Sequence, residues 1–219
     1  MPELVLVETA AGVRRITMHR PEARNALSSA LMAELAAAFV AAEEAEEVDV
    51  VVFTGTDPAF CAGLDLRELG QGGANLRGGA AAAASSPFAA LWRMTKPVIG
   101  AVNGPCVTGG FELALACDLL VASERATFAD THARVGLLPA GGMSTFLPAA
   151  VGIRRAKELS LTGNYLSATD ALAAGLVNHV VPHADLLPHA HGLAADIAGN
   201  DRAAVRALKR LYEIGRAHV

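Results

Sequence analysis

Asn103-Gly104-Pro105-Cys106-Val107-Thr108-Gly109-Gly110-Phe111-Glu112-Leu113-Ala114-Leu115-Ala116-Cys117-Asp118 is the stretch that decides the fold. Pro97–Val102 before it is a continuous apolar run, the pattern of a strand covered on both faces. Glycines at 104, 109 and 110 follow, and a helix is predicted over Gly110–Cys117 with one carboxylate, Glu112, in its first turn. Unpaired N–H groups at a helix start point outward, and glycine lets a ligand approach the backbone. Such a turn suits an anion, or an oxygen that becomes anionic during a reaction. On spacing alone Glu112 reads as a capping-box partner at the third helical position and a favourable charge for the helix dipole. A helix start lowers a carboxylate's pKa and burial raises it, so spacing leaves its basicity open.

Upstream, Phe60-Cys61-Ala62-Gly63-Leu64-Asp65 repeats the pattern after a second apolar run, Val48–Phe53, with a helix predicted over Leu64–Leu69. Two such turns can bring two N–H donors to one point, each contributing roughly 3–4 kcal/mol to an anionic transition state. The alternative is an ordinary strand-to-helix turn with Asp65 as its cap. Further out, Leu4–Val7 and Val13–Met18 read as strands joined at Ala11-Gly12. Leu31, Leu35, Phe39 and Ala42 recur at helical spacing within Ser28–Glu46, whose acidic end, Glu43–Glu47, is expected to be solvated. Strands are expected at Leu119–Ala122 and Val177–Val181, and a last helix at Arg202–Arg216. Gly70–Pro87 is of low complexity and reads as a mobile lid or a disordered segment. Recurring strand, glycine turn and helix give an α/β class without a sequence repeat.

With 219 residues, one compact domain is the default. A hydrophobic share of 53% against 18% charged excludes disorder. The 18 basic and 22 acidic side chains give a net charge of −4 with no basic block, which argues against nucleic acid. The longest uncharged run, between Arg134 and Arg154, is interrupted by Gly136, Pro139, Gly141, Gly142, Pro148 and Gly152 and cannot face lipid. Glu3 and Glu8 stand where a signal peptide needs basic charge. Cys61, Cys106 and Cys117 lie in apolar contexts, as buried thiols of a reducing compartment do, so a cytoplasmic protein is expected. The histidines 179, 183, 189 and 191 are interrupted by Pro182 and Pro188 and have no cysteine nearby, so they do not read as a metal site. Nucleotide, serine-hydrolase and zinc-protease motifs are absent.

The two turns, in this order and at this separation, resemble the crotonase (enoyl-CoA hydratase/isomerase) superfamily. The resemblance extends over nearly the whole chain, through His19-Arg20-Pro21-Glu22-Ala23-Arg24-Asn25-Ala26-Leu27, Ala59–Leu66, Lys96–Gly104, the Glu112 segment, Gly136-Leu137-Leu138-Pro139, Leu161–Asn164 and Ala171–Val177. It implies an α/β spiral of repeated ββα units with a C-terminal helical region for trimer contacts. Residues 1–190 would form the core with the acyl-CoA site, and 191–219 that helical region, short for the family. It also implies that the N–H groups of Ala62 and Gly109 grip a thioester carbonyl while Glu112 takes a proton from the attacking water. Ala23, Arg24, Ala62, Gly63, Leu64, Asp65, Gly109 and Gly110 would line the path of the acyl-CoA. Arg24 reads either as a phosphate contact or as a solvated charge, and Lys96 as a strand-edge cation. The thioester itself serves as electron sink, so no metal or other cofactor is implied. Homotrimers, often doubled to hexamers, are expected as partners, with no nucleic acid and no membrane.

One departure concerns the chemistry. The family's second catalytic glutamate falls four residues after Phe128, and there this chain carries His132. Histidine can donate a proton near neutrality, so His132 is either the acid of the reaction or an inert replacement. Asp130, two residues away, is a further candidate whose direction the sequence leaves open. The same thioester enolate also serves isomerisation, and the site suits thioester hydrolysis or acyl-CoA binding with little turnover.

Overall fold

The computed structural model describes residues 3–70 and 86–216. Strands β1 (Val5–Ala10) and β2 (Val13–Met18) pair antiparallel about Ala11 and Gly12, which both take positive φ, the backbone of a tight two-residue hairpin. Ser28 caps α1 (Ser29–Glu44) by accepting from the Leu31 N–H, and the helix buries Leu31, Leu35, Phe39 and Ala42 as the spacing predicts. Then come β3 (Val50–Gly55), α2 (Leu66–Gly70), α3 (Pro87–Arg93), β4 (Val98–Val102), β5 (Pro105–Val107) and α4 (Gly109–Leu115). The chain continues through β6 (Leu119–Ser123), β7 (Thr127–Ala129), α5 (Met143–Val151), α6 (Ile153–Thr162), β8 (Leu166–Ser167) and α7 (Ala168–Ala173). It closes with β9 (His179–Val181), α8 (Leu186–Ala198) and α9 (Arg202–Arg216).

The main sheet runs β1-β2-β3-β4-β6-β9, parallel except for the first hairpin, and a smaller sheet runs β5-β7-β8. Each buried main strand passes into a short segment of the smaller layer: β4 into β5, β6 into β7, and β3 towards Cys61, which bridges Cys106. This is the ββα winding implied by the resemblance. Val51 and Phe53 face one core with Phe39, Phe60 and Phe111, while Val50, Val52, Ile99 and Val121 face another with Leu186, Ala190 and Ala194 of α8. Burial on both sides is why β3 and β4 carry unbroken apolar runs.

Two short strands carry no sequence signal, and two expectations need correction. The small strands β5 and β8 span three and two residues, too short for any period to register. Residue 190 lies inside α8, whose Ala190 is buried against the sheet. At the acidic end of α1, Glu44, Glu46 and Glu47 are exposed as expected, but Glu43 is engaged, accepting from the Thr95 N–H (3.0 Å) and hydroxyl (2.5 Å). Lys96 is buried instead of fringing the strand, and its ammonium donates to the carbonyls of Ala42 (2.7 Å) and Ala45 (2.5 Å) at the end of α1. A cation there satisfies carbonyls that the helix cannot and opposes its dipole. The stretch 71–85, the body of the expected lid, lies outside the described residues.

Candidate active site

The first turn is built by a loop reaching across from β2. The buried Asn25 amide accepts from the Arg20 N–H (2.9 Å) and donates to the carbonyls of Thr56 (2.8 Å) and Ala59 (2.7 Å). Arg24 takes a left-handed backbone, φ 51°, and its carbonyl accepts from the Ala62 N–H at 3.0 Å. The Ala62 N–H, which the resemblance implies as a donor, is therefore already occupied by the Arg24 carbonyl. Two residues on, Leu27 donates to the Gly63 carbonyl (2.7 Å) and accepts from the Asp65 N–H (3.0 Å), a parallel bridge between Leu27 and Leu64. In that pattern the residue between the two bonds turns its own N–H to the opposite edge. The Leu64 N–H accordingly has no partner among the described residues.

Close approach then sets this turn against the second. Gly63 has φ +90°, and a Cβ there would stand 1.9 Å from the Thr108 hydroxyl. A Cβ on Gly110 would stand 2.5 Å from the Cys61 carbonyl oxygen. Between them, Cys61 donates to the Pro105 carbonyl (3.1 Å) and accepts from the Val107 N–H (2.9 Å). Thr108 takes φ 46° and ψ −114°, a conformation that costs a non-glycine residue about 1–3 kcal/mol and is typical of functional turns. Gly109 follows as the first residue of α4, where the N–H has no acceptor within the helix. Leu64 and Gly109 thus carry free N–H donors on adjoining turns.

Glu112 stands one turn into α4, almost fully buried. It is not a capping-box residue: its Oε1 accepts from the N–H groups of Gly141 (2.6 Å) and Met143 (3.2 Å), the latter at the start of α5. Burial pushes its carboxyl above the usual range and the Asp130 charge adds to this, against the opposing pull of the Met143 and Gly141 bonds and the His132 charge. Its Oε2 lies 3.8 Å from His132 Nε2. His132, also buried, opens a 3₁₀ turn (His132–Val135), and its Nδ1 lies 2.6 Å from Asp130 Oδ1. That oxygen also accepts from the His132 N–H at 3.3 Å. Burial by itself would raise the Asp130 carboxyl, but hydrogen bonds from His132 and Ser160 hold it below its usual value. Asp130 is the residue whose part the sequence did not settle. No sequence signal gives its direction, because Asp130 lies beyond the end of β7 and His132 in the 3₁₀ turn that follows.

The other expected residues are distributed along the first turn. Asp65 caps α2 through the Arg67 N–H (3.0 Å) and pairs with Arg20 at 2.7 Å. Burial works against the Asp65 charge, but these bonds hold its carboxyl below the usual range. Ala23 ends a 3₁₀ turn, and the Arg24 side chain is exposed. Of the clustered histidines, His183 links the Ser123 hydroxyl (3.0 Å) to Asp57 (2.9 Å), and His179 packs on the His189 ring. Among the described residues no group of three or more His, Cys, Asp and Glu side chains is placed to hold a metal ion.

Comparison with known proteins identifies the family. The model of the enoyl-CoA hydratase/isomerase family matches residues 8–216. A probable peroxisomal enoyl-CoA hydratase of Arabidopsis thaliana is 41% identical over 206 residues, 94% of this chain and 77% of the relative. The crystal structure of an enoyl-CoA hydratase from Mycobacterium tuberculosis H37Rv superposes with a TM-score of 0.86 at 54% identity, over 96% of this chain and 89% of that one. A probable enoyl-CoA hydratase/isomerase from Mycobacterium abscessus gives a TM-score of 0.88 at 33% identity, over 98% and 83%.

Proposed function

Because the chain belongs to the enoyl-CoA hydratase/isomerase family, the crotonases, and is an enzyme of that family, we propose that it adds water reversibly to a 2-enoyl-CoA to give a 3-hydroxyacyl-CoA. The thioester carbonyl accepts from the N–H groups of Leu64 and Gly109. Electron density arriving from C3 addition then rests on that oxygen as an enolate, which preorganised donors stabilise without rearranging solvent. Glu112 takes a proton as water attacks C3, and the His132 imidazolium gives one to C2. Glu112 then holds the extra proton and His132 lacks one; their 3.8 Å separation is too long for direct transfer, so a solvent water that enters as product leaves relays the proton and resets the site. The observation that carries this reading is that separation, a buried base facing a buried ring nitrogen beside two unpaired donors. It also favours an active His132 over an inert one.

In the same reading Ala23, Arg24, Ala62, Gly63, Asp65 and Gly110 form the wall along which the CoA portion lies, with Arg24 at the phosphates. The chemistry is drawn without a metal or redox cofactor because the thioester accepts the electrons. A homotrimer or its doubled hexamer is the assembly proposed, consistent with exposed Leu208, Leu211 and Tyr212 on α9, and light scattering after gel filtration tests it. The function is tested by mass spectrometry of products from a short 2-enoyl-CoA, a 3-enoyl-CoA and a saturated acyl-CoA. Gain of one water by the 2-enoyl ester is expected. Isomerisation alone, release of free CoA alone, or binding without turnover overturns the proposal.

A further inference from the structure

We infer that Asp130 is a positioning residue for His132, and that the two together replace one uncharged acid opposite Glu112. The inference rests on the hydration reading above and deepens it. A carboxylate has no proton to give, so in the 2.6 Å contact the His132 Nδ1 is the donor and Asp130 Oδ1 the acceptor. That assigns the tautomer and leaves Nε2 as the atom facing Glu112 at 3.8 Å. The His132 N–H and Ser160 also bond the Asp130 carboxyl, which keeps it ionised and fixed.

Charge balance supplies the second half. Two carboxyl groups at this distance cannot both ionise, so a glutamate opposite Glu112 would act as a neutral acid. A lone imidazolium there would be a buried cation, pairing with Glu112 and weakening it as a base. With Asp130 ionised behind the ring, imidazolium plus carboxylate sum to zero, the charge of a protonated glutamic acid, while Nε2–H remains as donor. No other charge faces the ring among the described residues. The Arg134 guanidinium turns away to the Thr162 carbonyl and Asn164. Arg155 and Glu158 of α6 pair with each other at the surface, and Arg154 and Lys157 are exposed. Neither α5 nor the rest of α4 carries an ionisable side chain.

The test is Asp130→Asn in the full chain, assayed with a 2-enoyl-CoA across pH, with ¹⁵N NMR of His132 alongside. The amide keeps an acceptor but loses the charge. Turnover is expected to fall about tenfold with KM nearly unchanged. The NMR signal should show Nδ1 losing its protonated share. Asp130→Glu should recover part of the turnover, and Ser160→Ala, a milder perturbation should Asp130→Asn not fold, should lower turnover by a smaller factor. His132→Glu combined with Asp130→Asn should exceed His132→Glu alone by about tenfold, because only the double variant restores the charge of a two-carboxyl site. Unchanged turnover together with an unchanged tautomer overturns the inference. If the wild-type protein does not hydrate the substrate, the hydration reading fails instead, and the tautomer measurement still decides what holds His132.

Discussion

Glu112 and His132 face each other in a buried space, Oε2 to Nε2, at 3.8 Å, and each is held from behind by the main chain or by a carboxylate. The distance exceeds that of a hydrogen bond, so neither group is consumed by the other. Two backbone N–H groups bind one side of Glu112, which leaves its second oxygen as the reactive one. Asp130 does the same for the imidazole. Both side chains are thus oriented before any substrate arrives, which is what efficient proton transfer requires.

Replacing Glu112 by Gln should reduce turnover by roughly 10²–10⁴-fold, the range attributed to a positioned acid–base group, with KM little changed. Its stability should move the other way. The folded-state pKa of Glu112 is raised, so the stability it contributes is full below the unfolded pKa and is lost as pH rises through the folded one. At pH 8 the native protein bears that loss and the neutral amide does not. Calorimetry at pH 8 should therefore find the variant at least as stable as the native protein. A clear drop in its melting temperature would show that the charge supports the fold.

A backbone amide-to-ester exchange separates Leu64 from Ala62 without altering a side chain. At Leu64 it removes the proposed oxyanion donor, and kcat should fall by about 10²–10³. At Ala62 it removes a donor already bonded to Arg24, so stability should fall by about 1 kcal/mol while kcat stays within a few-fold. Equal losses of kcat at both positions would contradict the assignment.

What the sequence disclosed and withheld follows from the range of the forces involved. Helix α1 and strands β3 and β4 announce themselves because their apolar patterns are local and periodic. The glycines of both turns likewise mark where backbone must approach backbone. Which N–H of Ala62-Gly63-Leu64 is free is decided by pairing with Leu27, far back in the chain. The partners of the Glu112 carboxylate, Gly141 and Met143, also lie remote from it in sequence. No local rule could separate a capping glutamate from a buried base, nor give the direction of Asp130.

Gly63→Ala probes whether the two turns must touch. The added Cβ would meet the Thr108 hydroxyl at 1.9 Å, and the residue would have to hold φ +90°. Overpacking alone costs about 1–3 kcal/mol, and relief requires Leu64 and Gly109 to separate. Denaturant unfolding should record a loss of that size, accompanied by a fall in kcat. A variant that loses stability but retains full turnover would show that donor convergence does not depend on this contact.

The acid limb of the pH profile should report the environment of Glu112. An ordinary glutamate ionises near 4.5, but burial raises this one beyond what its two N–H bonds and the His132 charge can offset. As the base it must be ionised, so kcat/KM should decline on acidification at a pH above 4.5. Asp130 contributes to the rise through its like charge, so Asp130→Asn should bring the acid limb down as well. A lowered acid limb is a change that simple loss of folded protein cannot produce, because unfolding narrows a profile from both sides. Measurement of kcat/KM from pH 4 to pH 10 in the native protein and this variant distinguishes the two outcomes.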